Sequence, residues 1–154
     1  PANNKFLFQK PISVDEQLNW IKKNKGSEKA RNFKVANIDN EFKGTISIYN
    51  IEQGRGEFGR YIVTNPVNAI EAEYLLLKIC FEQLGMNAIY CQTNLLNRAV
   101  WGQHLKLGFR QTGTKEVVVG TEGDVSVTAV VQEITGEEYK SFNYEKIIKL
   151  IKMF

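Results

Sequence analysis

One stretch of this chain sets the architecture more firmly than any other, because its apolar residues change period among β-rich neighbours. Ala69, Ala72, Leu76, Ile79, Cys80 and Phe81 recur at three- and four-residue steps. That spacing predicts an amphipathic helix of about four turns over 69–84. Gly85 is placed to end it, since glycine takes the left-handed conformation of a helix C-terminus without strain. Before the helix, Phe58 to Thr64 reads as a strand stopped by Asn65-Pro66. After it, Ala88 to Thr93 reads as another strand. A helix set among strands calls for a sheet with helices packed on it.

The flanks extend the same pattern. Ser13 with Glu16 three residues on is a capping box, and it opens a helix whose buried stripe is expected from Leu18, Trp20 and Ile21, with Gly26 as its stop. Phe33–Ile38 and Gly44–Ile51 form a hairpin around Asp39-Asn40. Asn97 opens a short helix through Lys106, and Gly108-Phe109 leads into a further strand. Val117–Val119 and Val125–Ile134 read as strands joined by a turn at Thr121-Glu122-Gly123-Asp124. The tail, Gly136 to Phe154, reads as helical. The expected class is α+β (mixed α/β), a mostly antiparallel sheet with helices, in one domain spanning 1–154.

Bulk properties narrow the function. The chain has 154 residues and a formal charge of +3, with its lysines scattered rather than striped. That distribution gives no footprint for nucleic acid, so no nucleic-acid partner is expected. No apolar run reaches the roughly 18 residues of a membrane span, so no membrane role is expected. Cys80 and Cys91 fall in apolar segments, without the spacing of a zinc site or a disulfide framework. They are read as small buried residues of a protein in a reducing compartment, the cytoplasm, and no metal is expected.

The most specific pattern lies between Glu57 and Phe109. It comprises the strand Glu57-Phe58-Gly59-Arg60-Tyr61-Ile62-Val63, then Glu71-Ala72 on the following helix and that helix's end, Cys80-Phe81-Glu82-Gln83-Leu84-Gly85. The segment Asn97-Arg98-Ala99-Val100-Trp101-Gly102-Gln103-His104-Leu105-Lys106-Leu107-Gly108-Phe109 completes it. This string resembles the GNAT superfamily of acyl-CoA N-acyltransferases, in particular the branch holding ribosomal-protein and amino-sugar N-acetyltransferases. The resemblance covers roughly Gly44 to Gly113, and the stretch from Asn97 to Phe109 is its specific part.

The resemblance implies the GNAT fold, a central twisted sheet flanked by helices, and transfer of an acetyl group from acetyl-CoA to a primary amine. The acceptor it suggests is a nucleotide-linked amino sugar, as in the pseudaminic acid pathway, with a protein N-terminus as the competing amine. A GNAT-fold module without catalysis is the reading from another class. The protein is expected as a monomer or homodimer acting on a small-molecule or peptide amine.

Site residues follow residue by residue. The resemblance puts the pantetheine arm of the coenzyme along the main chain of Ile62, Val63 and Thr64, and its diphosphate at Val67, Asn68, Ala69 and Ile70. A strand-to-helix junction offers amides and a helix dipole to such an anion. Val67 and Ala69 stand where the family usually has glycine. Asn97 matches a residue that bonds the coenzyme arm, and it also suits a helix N-cap. His104, the only histidine, matches a position that faces the coenzyme sulfur and could protonate the leaving thiolate. From its spacing alone it reads equally as a core histidine. Glu57 matches a carboxylate that takes the amine's proton, or else it pairs with Arg55 or Arg60 at a strand end. Asp39, Glu52 and Tyr61 stand in reserve. Trp20, Tyr49 and Tyr90 are read as core, and Trp101 as either packing or flanking the coenzyme.

Overall fold

The computed structural model describes residues 13–119 and 125–153. In chain order its elements are α1 (Val14–Asn24), β1 (Ala30–Ala36), β2 (Phe42–Glu52), β3 (Arg55–Val63), α2 (Pro66–Lys78) and a π-helical turn (Ile79–Gln83). There follow β4 (Ala88–Asn94), α3 (Arg98–Lys106), β5 (Arg110–Val119), β6 (Val125–Thr135), α4 (Gly136–Ser141) and α5 (Glu145–Lys152). The six strands make one sheet in the order β1-β2-β3-β4-β6-β5. Neighbours are antiparallel except β3 and β4, which run parallel. The α+β class and the mostly antiparallel sheet are as the pattern of periods requires.

Strand alternation divides the sheet into two unlike faces. Ile46 and Ile48 of β2, Phe58 of β3, Ile89 and Cys91 of β4 and Ile134 of β6 are buried on one face. Ala72, Leu76 and Leu77 of α2, Cys80 of the π turn, and Leu107 and Phe109 after α3 cover them and complete the core. Each Leu, Ile or Phe so enclosed contributes roughly 1.5–3 kcal/mol relative to exposure. The opposite face carries polar and aromatic residues and receives α1.

Several expectations are corrected. The Ser13–Glu16 capping box is present, but α1 buries no residue, and Leu18 and Ile21 are both 48% exposed. The helix lies on the polar face, so its apolar stripe meets little to cover it. The helix read from 69 to 84 begins earlier, with Pro66 in its first turn, and its last part is π-helical. The tail is two helices rather than one. Phe142 is extended between α4 and α5, and its ring packs where a β-carbon on Gly108 would stand. Strand β3 starts at Arg55 rather than Phe58, after a tight turn at Gln53-Gly54 with both residues at positive φ. The expected turn 121–124 lies outside the described residues.

One feature of the sheet shapes everything beside it. Strands β3 and β4 pair only from Arg55↔Ala88 to Phe58↔Cys91. Beyond that point β3 runs on to Val63 beside β2, and β4 runs on to Asn94 beside β6. The sheet therefore forks. A bulge marks the place: the β2–β3 register shifts between Thr45 and Ser47, and Arg60 has φ 49°. An extra residue in one strand bends it and strengthens its twist, which carries β3 away from β4. The bulge also re-phases β3, so that Phe58, Tyr61 and Val63 all pack toward the core.

Among the described residues, no helix is long and apolar enough to cross a membrane, and no group of His, Cys, Asp and Glu could hold a metal.

Candidate active site

Glu57 sits one residue before the fork opens, on the polar face. Its carboxylate accepts from the Tyr49 hydroxyl at 3.2 Å and the Asn50 amide at 3.0 Å. The Tyr90 hydroxyl and the Gln92 amide donate to it at 3.4 Å each. Asn50 reaches it because a second bulge, with Asn50 at φ 52°, interrupts β2. Burial first, then the neighbouring Glu57 charge, raises the Tyr49 pKa, so its phenol stays a donor at neutral pH. Neither Arg55 nor Arg60 pairs with Glu57. Arg55 bonds Glu133 at 2.6 Å and lies over the Tyr90 ring at 4.4 Å. Arg60 is stacked on Trp20 and Tyr49, at 4.4 Å and 4.3 Å from the ring centres.

These contacts form one row across the sheet. Tyr49, Glu57, Tyr90, Glu133 and Arg110 are successive register partners on β2, β3, β4, β6 and β5. Glu133 is neutralised by Arg55 and Arg110, whereas Glu57 has no basic partner among the described residues. Trp20, Tyr49 and Tyr90, read from the sequence as core, instead surround Glu57 and its arginine neighbours on the half-buried polar face.

On the core side of the fork lies His104, 1% exposed. Its Nδ1 is 2.6 Å from Oε1 of Glu73, a residue of α2 that is itself 0% exposed. The ring is enclosed by Phe58, Phe109 and Tyr61, at centroid distances of 5.2, 5.4 and 6.4 Å. Burial opposes a charge on this imidazole. The Glu73 carboxylate and the hydrogen-bonded Cys91 thiol outweigh it, and the His104 pKa is pushed up to about 10. The second Glu73 oxygen accepts from Nε2 of Gln103 at 2.7 Å, and that same nitrogen donates to the Tyr61 hydroxyl at 2.7 Å. Glu73 thus ties α2 to α3 directly and to β3 through Gln103. Glu73 and Gln103 had no signal in the sequence beyond their places on helices; only the fold brings them to Tyr61 and His104.

Between the two faces runs the free edge of β3. The Thr64 amide donates to Lys43 O at 3.0 Å, and the Ile62 carbonyl points at Gly44, where a β-carbon would collide with it. By alternation, the main-chain groups of Ile62 and Thr64 belong to β2, while those of Tyr61 and Val63 face the fork. At the head of α2 the amides are mostly spoken for. Pro66 has none, the Asn65 side chain takes Val67 N–H at 2.8 Å, and the Asn65 carbonyl takes Ala69 N–H at 2.8 Å. Ile70 lies within the first turn, so Asn68 holds the one amide there with no partner among the described residues. Asn97 precedes α3 without a side-chain cap, and its amide group has no partner among the described residues. The Trp101 indole N–H is bonded to Leu95 O at 3.1 Å.

The profile of the family described as "Acetyltransferase (GNAT) domain" matches residues 1–110. The chain belongs to that family. The acetyltransferase is also similar in structure to the spermidine N-acetyltransferase of Vibrio cholerae solved with CoA and spermine. They share a TM-score of 0.77 and 19% identity, over 90% of this chain and 87% of that one. A spermidine/spermine N-acetyltransferase from the same organism, solved with manganese ions, gives 0.71 and 20% identity over 91% and 86%. At such identity these likenesses show the fold. No curated protein matches significantly.

The family makes this an enzyme that moves an acetyl group from acetyl-CoA to an amine. The fork fits the slender arm of that donor, since it exposes strand edge that no neighbouring strand uses. The head of α2 offers an anion less than helix ends usually can, with a single amide that has no partner among the described residues.

Proposed function

We propose that this acetyltransferase acts, as one domain, on a primary amine borne by an anionic small molecule, of which a nucleotide-linked amino sugar is the type. The observation that carries this is the setting of Glu57. It is a carboxylate with no cationic partner among the described residues, flanked by Arg55 and Arg60, each laid over aromatic rings. An ammonium group is drawn to the carboxylate. Phosphate and sugar groups on the same molecule suit guanidinium and aromatic surfaces. A polyamine, all cation, would meet Arg55 and Arg60 on either side of Glu57, the one glutamate of the row with no cation bound to it among the described residues.

In this reading the thioester arm lies along Val63, and the acetyl group sits at the apex of the fork near Phe58 and Cys91. Glu57 stands on one face of that apex and His104 on the other. Glu57 accepts the proton of the attacking amine, a role worth about 10²–10⁴-fold in rate. His104, held as a cation by Glu73, places positive charge behind the departing sulfur. The Val63 amide is the donor best placed to polarise the acetyl carbonyl, and Asn97 is free to bond the arm. Asn68 is left to meet the diphosphate.

The test is a comparison of acceptors with purified enzyme and acetyl-CoA. A nucleoside-diphosphate-linked amino sugar should show a kcat/KM at least about tenfold above spermidine or a peptide with a free N-terminus. If spermidine or the peptide is preferred, the anionic-acceptor reading is wrong.

A further inference from the structure

Where α2, the π turn and the chain from α4 to α5 meet lies a cavity of about 460 Å³, a size that suits a small molecule. Tyr74 of α2, Phe81 of the π turn, Tyr139 of α4, and Phe142 and Tyr144 beyond it give its wall five aromatic rings. The rings brace one another. Phe81 is stacked on Tyr139 at 4.9 Å, and Tyr144 is tilted by 44–55° against Tyr74, Tyr139 and Phe142 at 4.8–5.3 Å. Rings so tilted offer faces in several directions, and the face of an aromatic ring is its electronegative side. Tyr144 is anchored through its hydroxyl to the Leu107 carbonyl at 3.0 Å, and Tyr139 is buried, so this wall is built before any ligand arrives.

The polar part of the wall is a carboxylate. Glu82 accepts from the Tyr139 hydroxyl through Oε1 at 2.5 Å, and its Oε2 lies 3.9 Å from Nζ of Lys78. So long and exposed an ion pair is worth little, and the charge of Glu82 stays available. The π turn holds Glu82 beside Phe81, with a bond that spans five residues from the Leu84 N–H to the Ile79 carbonyl at 2.9 Å. Such turns are rare and recur at functional sites. Burial first, and then Glu82, raises the Tyr139 pKa, so that ring stays a neutral phenol. Glu82 is thus the cavity's one anion among the described residues. Lys140 also lines the cavity, but it is exposed and its long stem lets the amine stay in water.

We propose that this cavity binds a small organic cation of the alkylated ammonium class, with its methyl groups against the rings and its charge toward Glu82. An anion would be repelled by the carboxylate, and an uncharged apolar ligand would leave that charge unused. An alkylated nitrogen is attracted by ring faces and carboxylate together. The lining includes none of the residues at the fork, so this binding is separate from acetyl transfer and holds whichever acceptor the enzyme prefers.

The test uses choline and dimethylbutanol, which has the same shape with carbon in place of the charged nitrogen. Each is titrated into the full chain and followed by NMR. Choline should bind with a dissociation constant of about 1 mM or below, its methyl resonance moving upfield over the rings, and dimethylbutanol at least about tenfold more weakly. Glu82→Gln keeps the shape of an exposed side chain and removes its charge. It should weaken choline at least about fivefold at an unchanged melting temperature and leave dimethylbutanol as it was. Glu57→Gln, in the transfer site, should alter neither probe. Equal affinity for the two probes, or no binding of choline, overturns the proposal without recourse to any variant. Choline binding that survives Glu82→Gln, or that is lost in Glu57→Gln, overturns it as well, the latter by putting the cation in the transfer site.

Discussion

Nδ1 of His104 lies 2.6 Å from Oε1 of Glu73, and neither side chain reaches solvent. A buried pair of this kind is weak evidence for stability, because desolvation consumes much of the attraction. It bears more directly on charge, since a carboxylate so close favours a proton on the imidazole.

The pair has a signature in pH. The folded His104 pKa of about 10 lies above the ordinary 6.5, so the proton is bound more tightly in the folded state. Its contribution to stability is full below about 6.5 and fades as pH rises through about 10. As the only histidine in the chain, His104 gives one imidazole resonance to follow. That resonance should hold its protonated position through neutrality, while the denaturation midpoint falls between pH 7 and 10. An imidazole titrating near 6.5 with a flat midpoint would show the pair to be neutral.

Glu57→Gln keeps the shape of the site and two acceptor lone pairs but cannot take a proton. It should lower kcat by about 10²–10⁴-fold while acetyl-CoA binding and melting temperature stay close to the parent's. Steady-state kinetics with calorimetry separate these effects. A variant of full activity would assign proton removal to another group.

Asn65→Gly tests the head of α2. Glycine is nearly as good an N-cap as asparagine, at a loss of only a few tenths of a kcal/mol. The change frees Val67 N–H, now taken by the Asn65 side chain at 2.8 Å. Two adjacent amides should bind a diphosphate better than one, tightening CoA roughly tenfold by calorimetry. Pantetheine, which has no diphosphate, should bind the variant and the parent alike. CoA affinity that does not move would place the diphosphate away from this helix.

Arg60→Gly removes a guanidinium at a position whose φ of 49° glycine takes without strain. The KM for an anionic amino sugar should rise about tenfold, the worth of one charge-assisted bond. The KM for spermidine should fall or hold. A rise for both would point to a structural role in stacking Trp20 on Tyr49.

The sequence and structure agree best where periodicity and capping decide the outcome. Ser13 with Glu16, Gly85 after the long helix and the alternation through Ile89 and Cys91 all follow from local chemistry. Disagreement arises where a distant element settles a residue's fate. Leu18 and Ile21 make a sound stripe, but nothing in the chain says their helix will lie on the polar face. Trp20, Tyr49 and Tyr90 are aromatic and so read as core. Register, which no local pattern specifies, lines Tyr49 and Tyr90 up with Glu57. His104 could be found by its motif, whereas its Glu73 partner, 31 positions away, could not. The bulge at Arg60 is equally silent, since arginine seldom takes the left-handed conformation, whereas Asn50 is of a type that does so more readily.

The fork has a mechanical meaning as well. It leaves the sheet as two three-stranded leaves, β1-β2-β3 and β4-β6-β5, riveted by the four rungs from Arg55↔Ala88 to Phe58↔Cys91. Past so short a seam, the far ends of β3 and β4 are joined by no strand-to-strand pairing. A donor molecule stretched along Val63 would act as a seventh strand, and amide hydrogens at the gap should exchange with solvent far more slowly once it is seated. The substrate would thus be, for the time it stays, part of the framework that holds it.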